Sequence, residues 1–573
     1  MRSLLGRFHR PMSRGLVNNM LTMNNLGDGS TLSLDFTTGV LDPRLTFSRA
    51  STATFVNSSG YVEWAGANLF ANSNFAGTSI PTSWTAFASW DGTIPSAGTR
   101  RVTTGGTAAQ KWISYPVPVS PGIKYSISVY VSEVSGQHYA NTITPTGAGV
   151  VDAMYLNGVS VGLYATAMPG LITVVFSNTS GTTNDIRIGI GATGSGVVNA
   201  VCEFSLPRAV PGNFASPAYI ENTTASSYHA PRFDYSPTNI GEPRGLLVEG
   251  VGINLTTYSE DFENVNWTKD NSGGSAPVVT TVSATNPANG STVNQIVFDK
   301  TGGVFSRIGR TSTGTASTPY TMSVWMRTVS GSANVGLRIG ADAAGFNCAV
   351  TTTWKRFQYT YTLSSTDSSA QIMLWDSIIG NDETATVYAW GCQVEAGSGA
   401  SSYIPTGASQ VTRNADLCYM SDISSLSYSA TNGSMFYEGS FFKFNSASYP
   451  TRMGFLTAAG GDPAFEIFVN GTTIFSGIRS VPANNEITRT IATNTNYKFA
   501  TSFNAAASSQ VRCSINGAAV VGSGSSALTA TRTPTVFGFT RSGYELYFPS
   551  GTIKSAKYWN TTLTDADLVS KST

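Results

Sequence analysis

The chain has 573 residues, of which 12% are charged, 41% hydrophobic and 11% aromatic, and Lys+Arg 34 against Asp+Glu 33 leaves a formal net charge of +1. That balance excludes a disordered or highly charged chain and, through bulk electrostatics, a nucleic-acid partner. At about 150 residues per domain the length suits roughly four domains or fewer large ones. A chain so poor in charge stays soluble through Ser, Thr, Asn and Gly, or covers its surface by assembling.

The opening segment MRSLLGRFHRPMSRGLVNNML carries Arg2, Arg7, Arg10 and Arg14 and no acid before Asp28. These arginines interrupt every apolar run, so no signal peptide is read here. No stretch of the chain reaches the roughly 18 apolar residues of a membrane span. Residues 1–30 are expected to dock onto another protein of the same assembly; the competing reading folds them against their own body.

From residue 31 onward the pattern is β. TLSLDF, YSISVYVS, DIRIGIG, YTMSVWM, FQYTYTL, FEIFVNG and VRCSING alternate apolar and polar residues with period two. Asn-Gly pairs at 157–158, 470–471 and 516–517 lie between such runs, and both residues tolerate the positive φ of a tight hairpin turn. Sustained 3.6-residue periodicity is nearly absent. The expected fold class is therefore all-β, with tandem jelly-roll sandwiches in place of a parallel α/β sheet.

The chain also repeats itself. Asn68-Leu69, Phe75 and Trp84-Thr85 answer to Asn254-Leu255, Phe262 and Trp267-Thr268, and YSISVYVSEVSG at 125–136 answers to YTMSVWMRTVSG at 320–331. Each copy closes on a Cys-containing strand and a Tyr-Ile pair: Cys202 with Tyr219-Ile220, and Cys392 with Tyr403-Ile404. This predicts homologous sandwiches at 68–225 and 253–415. Residues 31–67 and 226–252 form a small β linker unit, and 416–573 a last sandwich. Cys202, Cys348, Cys392, Cys418 and Cys513 are far apart and odd in number, with no CxxC pair. They read as isolated buried thiols, neither a zinc site nor a disulfide framework.

LTFSRASTATFVNSSG (45–60) and PRFDYSP…GLLVEG…NL (231–255) resemble segments of virion proteins from tailed phages and prophages. In that family the two segments run almost directly into one another; here the first sandwich sits between them, and they are expected still to pair. The two repeated sandwiches resemble carbohydrate-binding modules of the galactose-binding-like type, and SSYIPTGASQVTRNAD (401–416) resembles the segment that closes such a module. SMFYEGSFF, FEIFVNGTTIF, YKFATSF…VRCSINGAAV and GTIKSAKYWNTTLTDADLVS resemble a concanavalin-like (laminin-G-like) sandwich. The resemblance implies a fibre or spike subunit in the virion, assembled in the host cytoplasm, a homotrimer, and other virion proteins as partners through residues 1–30. It also brings in a Ca2+ in the terminal sandwich. Asp462 and its neighbouring Asn residues form no spaced ligand set, so no cofactor is expected.

Sugar rings present flat C–H faces that stack on Trp and Tyr, while Asn, Gln, Arg and Asp satisfy the hydroxyls. Strand parity sorts the aromatics. WISYPVPV puts Ile113, Tyr115, Val117 and Val119 together and Trp112 opposite; DIRIGIG turns Arg187 away from Ile186 and Ile188. NVGLRIG turns Arg338 away from Val335, Leu337 and Ile339, and QIMLW turns Trp375 away from Ile372 and Leu374. Trp112 with Arg187, and Trp375 with Arg338, are the candidate platforms for a host-surface glycan. The competing reading for each Trp is packing under a loop or against a neighbouring subunit. Trp84 and Trp267 are expected to pin sandwich edges and Trp354 and Trp390 to lie in a core; parity makes Trp325 outward, but its equivalence to Tyr130 suggests a packing position, so it is left unassigned.

A depolymerase needs two carboxylates about 5–10 Å apart in a cleft. His9, His138 and His229 show no ligand spacing, there is no Gly-x-Ser-x-Gly elbow, and no short-period solenoid repeat appears. The expected work is therefore attachment by glycan binding without catalysis. A structural connector or decoration protein is the alternative, and a glycan depolymerase the second alternative.

Overall fold

The computed structural model describes residues 28–573 apart from 78, 88–91, 342–343, 445–450, 459–460, 480–483, 508–509, 524–531, 541–542 and 544–548. All but three residues of the expected docking segment 1–30 lie outside this range. The first described residue is held to the C-terminal strand: the Asp28 carboxylate sits 2.8 Å from Lys557 Nζ, and Trp559 Nε1–H donates to the Asp28 carbonyl at 3.0 Å.

Every named strand pairing among the described residues is antiparallel, as expected where one strand face is buried and the other solvated. In the first sandwich a six-stranded sheet runs Val159–Val161, Gly149–Leu156, Gly170–Asn178, Lys124–Ser135, Val201–Pro211, Thr99–Thr103. It faces a four-stranded sheet of Ile143–Pro145, Thr183–Ile190, Lys111–Pro118 and Thr85–Ala86. Ile113, Val129, Ile172 and Ile186 meet between the two layers, all fully buried.

The second sandwich repeats this plan. One five-stranded sheet runs Lys355–Thr362, Pro319–Thr328, Thr384–Ala396, Thr292–Asp299, Ser275–Ser283. The other runs Phe346–Val350, Ala333–Ile339, Ala370–Trp375, Phe305–Arg310, Thr268–Ser272. Strands 124–135 and 319–328, 201–211 and 384–396, and 183–190 and 370–375 hold equivalent places in the two strand orders. The internal repeat is thus a repeat of fold.

The conserved spacing within the copies has a physical cause. Asn68 Nδ2 donates to the carbonyls of Pro207 (3.0 Å) and Ile220 (2.8 Å), and Asn254 Nδ2 to those of Cys392 (3.2 Å) and Ile404 (2.8 Å). The Ser73 hydroxyl meets Tyr219 OH at 3.2 Å; Ser259 meets Tyr403 OH at 2.7 Å. Trp84 Nε1–H donates to Ala71 and Trp267 Nε1–H to Tyr258, at 2.8 and 3.0 Å. In each copy a buried Asn amide supplies the partners that the carbonyls of the closing Tyr-Ile segment would otherwise lack, so the start of the module is clasped to its end.

The C-terminal sandwich packs an eight-stranded sheet against a seven-stranded one. The expected separate linker unit takes a different form, because its strands are built into these sheets. Leu32–Asp35 and Pro243–Val248 lie end to end along Ser550–Trp559, with Leu32 opposite Tyr558 and Leu246 opposite Ile553. Thr46–Ser48 pairs with Leu417–Met420 in the opposing sheet. Leu32, Leu34, Phe36, Leu45, Leu246 and Val248 therefore belong to the C-terminal core, with Phe455, Phe499 and Tyr558. Outside it, strands of these segments form the hairpin Thr54–Val56/Val62–Trp64, the short ladder Ala67–Asn68/Tyr228–His229 and the pair Gly252–Asn254/Val411–Arg413.

The segments 45–60 and 231–255 do meet. Val56 N–H donates to Asp234 Oδ1 at 2.8 Å, and Arg232 donates to the Thr54 carbonyl at 2.8 Å. Their charged residues converge on one buried network: Arg49 to Asp416 at 2.8 Å, Arg232 to Asp416 at 2.6 Å and to Glu249 at 2.7 Å, with no side-chain exposure. Arg413 stands 3.5 Å from Glu249, whose carboxylate also accepts from the Ser402 hydroxyl at 2.6 Å. These residues come from the linker segments, the end of the second sandwich and the start of the third. The motif is a joint.

Candidate functional site

The outer faces of two equivalent sheets carry the candidate pairs. On the four-stranded sheet of the first sandwich, Ser114 lies opposite Arg187 and Trp112 opposite Gly189. The Arg187 guanidinium stands over the Trp112 ring, 4.4 Å from its centroid. Phe87 packs 4.7 Å from the same ring, and Trp112 retains only 7% exposure. Parity puts each side chain on the outer face and strand pairing brings them into contact, but the ring is largely covered, with Trp112 packed beneath Phe87. Its Nε1–H is buried without a partner.

On the corresponding sheet of the second sandwich the arrangement is more open. The Arg338 guanidinium stands 4.5 Å from the centroid of the Trp375 ring, and both side chains are half-buried. Trp375 lies across the strands from Phe305, and the Arg307 guanidinium is 4.8 Å from the Phe305 ring. Two aromatic residues are therefore cross-strand partners on one face, each ring beside an arginine. Asp270, from the neighbouring strand, accepts two hydrogen bonds from Arg307, both at 2.7 Å, and these hold the guanidinium pKa above its ordinary value. Gln371, on the same face, keeps its Oε1 buried without a partner.

Local sequence explains the shape. In Phe305–Arg310, Ser306 and Ile308 point into the core and Phe305, Arg307 and Gly309 point out; in Ala370–Trp375, Ile372 and Leu374 point in. The loop 376–383 folds back on this face because Gly336 leaves room for it: a Cβ there would come within 2.4 Å of Ile378 Cδ1. Asn381 fixes the loop to the strand end by accepting the Trp375 backbone N–H at 3.1 Å. Sequence reasoning missed Phe305, Arg307 and Asp270. The parity of FSRIGR marks Phe305 and Arg307 as outward, but only cross-strand register shows that Phe305 adjoins Trp375.

The surrounding carboxylates are engaged. Asp270 is bound by Arg307, while Asp376 and Glu383 flank Lys300 Nζ at 2.8 and 2.5 Å. The face can stack on an apolar ring face and hydrogen-bond to hydroxyls around it. Among the described residues, no group of three or more His, Cys, Asp or Glu is placed to hold a metal ion, and no helix is long and apolar enough to cross a membrane. The five cysteines are free and buried, and burial pushes the thiols of Cys202, Cys348 and Cys392 up to about 12.

Five further tryptophans take packing positions. Trp84 and Trp267 pack against Phe75 and Phe262 inside their sandwiches. Trp325, outward by parity, is covered by Trp390, Tyr403 and Val62 of the hairpin at the joint, in a satellite cluster that Trp354 borders. Trp390 is buried there, outside the sandwich core.

No family model matches this sequence, and comparison with curated proteins finds no match either. Solved structures show weak, scattered likeness to β-sandwich proteins. The receptor binding domain of botulinum neurotoxin C/D mosaic serotype matches 27% of this chain at 13% identity and a TM-score of 0.23. A tailspike protein 4 domain of bacteriophage CBA120 matches 25% at 17% identity and 0.20. The chain spans 39% and 21% of the length of those two. The tandem CBM22-1-CBM22-2 domain of Paenibacillus barcinonensis Xyn10C is covered fully by 61% of this chain, at 14% identity and a TM-score of 0.21. By its own strand orders the chain is an all-β, multidomain protein of several sandwiches, consistent with jelly-roll architecture.

Proposed function

We propose that this protein is a virion subunit of a tailed phage that attaches the particle to a host-surface glycan, and that the outer face of the second sandwich makes the contact. The observation that carries the site is the half-buried Trp375 beside Phe305, ringed by Arg338, Arg307 and Gln371 on one sheet face. Such a face binds by stacking and hydrogen bonding, with no chemical step. The virion assignment rests on the resemblance of residues 45–60 and 231–255, whose charged side chains make the joint described above. The C-terminal sandwich is read as concanavalin-like, and the subunit as a homotrimer anchored through residues 1–30. Weak single sites then gain strength from many copies on one particle.

The covered ring of Trp112 gives the first sandwich a different part. It is a spacer that carries the second sandwich, and the connector reading applies to this module alone. Glycan-array binding by the full chain tests the proposal: capsular or lipopolysaccharide glycans of the host bind the native chain, and Trp375→Ala loses them. Undiminished binding by Trp375→Ala would remove this face from the account.

A further inference from the structure

The C-terminal helix Asp565–Ser572 lies on the outer face of the eight-stranded sheet. It buries Leu568 against Phe436, Ala500 and Trp559, and its Ser572 hydroxyl meets that of Ser514 at 2.8 Å. Thr564 caps the helix, accepting the Asp567 N–H, while the Asp567 carboxylate accepts the Thr564 N–H. Alternation along Asn496–Asn504 sends Tyr497, Phe499 and Phe503 into the core and Ser502 and Asn504 outward; along Val511–Ile515 it sends Arg512 outward. Because the helix covers only part of this face, a groove of about 500 Å3 is left between its first turn and the sheet.

The groove is lined by Ser502, Asn504, Gln510, Arg512, Thr562 and Asp565, with Leu563 beside them. Arg512 donates to the Asp565 carboxylate, so the pair cancels its own charge. Two polar groups here lack partners: the fully buried Ser502 hydroxyl and Arg512 Nε. A folded protein rarely leaves such groups unpaired without a ligand or ordered water to serve them.

We propose that this groove is a second binding site, for a small uncharged polyhydroxyl molecule such as a single sugar unit. The lining supplies donors and acceptors in mixed order, offers no aromatic ring to stack on, and presents no net charge to a charged ligand. Its volume falls in the range of small-molecule sites, about 300–1,000 Å3. The site is independent of the face around Trp375, from a different sandwich, and stands or falls separately.

The test uses the full chain and four probes: methyl α-D-glucoside, methyl β-D-galactoside, methyl α-D-mannoside and methyl β-N-acetyl-D-glucosaminide. Each is titrated with saturation-transfer NMR as readout. At least one probe binds; Ser502→Ala weakens it by roughly fivefold or more, the worth of one buried hydrogen bond. Arg512→Met weakens it as well, and Trp375→Ala leaves it unchanged. Ser502→Ala removes a hydroxyl that has no protein partner, so its unfolding temperature stays at the native value and the loss reads as ligand contact. Binding by none of the four probes, binding untouched by both groove variants, or binding lost only in Trp375→Ala would overturn the proposal; the first two mean that the groove holds water only.

Discussion

Arg232 and Asp416, 184 residues apart in the chain, meet at 2.6 Å with neither side chain exposed. Arg232 also holds Glu249, and Arg49 holds Asp416 from the other side. Charges buried this deeply persist only when paired and hydrogen-bonded, since desolvation costs several kcal/mol per ion. Removing one member leaves the others buried and uncompensated. Arg232→Ala is therefore expected to cost about 3–5 kcal/mol in chemical denaturation. A loss below about 1 kcal/mol would show that the joint does not depend on this pairing.

The joint also sets the response to acid. Burial raises the pKa of Glu249, but Arg413, Arg232 and the Ser402 hydrogen bonds outweigh it and bring the carboxyl down to about 2. Its folded value lies below its unfolded one, so its stabilisation is present above pH 4.5 and is lost as the pH falls toward 2. His229 adds to this: burial first, then Arg49, lowers its pKa to about 3, so acidification below 6.5 favours the unfolded chain. Melting temperature is expected to fall between pH 4.5 and pH 3, where the losses at Glu249 and His229 coincide. A flat profile over that interval would contradict the charge assignment.

Asp234 works in the opposite sense. Burial outweighs Arg244 and the Val56 N–H and lifts the carboxyl to about 6. A raised carboxyl favours the folded state while protonated, so its contribution is greatest below pH 3.8 and is lost as the pH rises through 6. Asp234→Asn keeps an acceptor for Val56 and removes that cost. The variant is expected to gain stability over the native chain between pH 4 and pH 7, on the order of 3 kcal/mol. No change in the difference between the two proteins across that range would refute the assignment.

The repeated clasp yields a paired prediction. Asn68→Ala and Asn254→Ala each strand two buried carbonyls, and each is expected to destabilise its own sandwich by about 1–3 kcal/mol. Asn→Asp at either position gives no rescue, because the donors are lost. Hydrogen exchange resolves which sandwich loosens; equal loosening of both by one substitution would contradict the separate cores.

Much of this molecule can be read from alternation. The facing of Ile113 and Trp112, or of Leu374 and Trp375, follows from strand parity alone, as does that of Arg187 and Arg338. Register is not readable in that way. Phe305 adjoins Trp375 only because strands 305–310 and 370–375 pair, and nothing local in either segment says so. The same holds for Leu32 opposite Tyr558 and Leu246 opposite Ile553, pairings that cross nearly the whole chain or half of it. Local pattern marked those segments as β but carried no information on which sheet would take them. The cover over Trp112 is hidden for a related reason, since Phe87 comes from outside its own strand.

The face around Trp375 is the centre of the account, and the comparison of Trp375→Ala with Trp112→Ala probes it most directly. Both are measured for host-polysaccharide binding and for thermal stability in the full chain. Trp112→Ala should cost about 3–5 kcal/mol of stability, as a buried aromatic does, and leave the affinity of the folded protein unchanged. Trp375→Ala should keep the fold and abolish binding. Binding lost through Trp112→Ala and kept through Trp375→Ala would place the contact on the first sandwich and contradict the account.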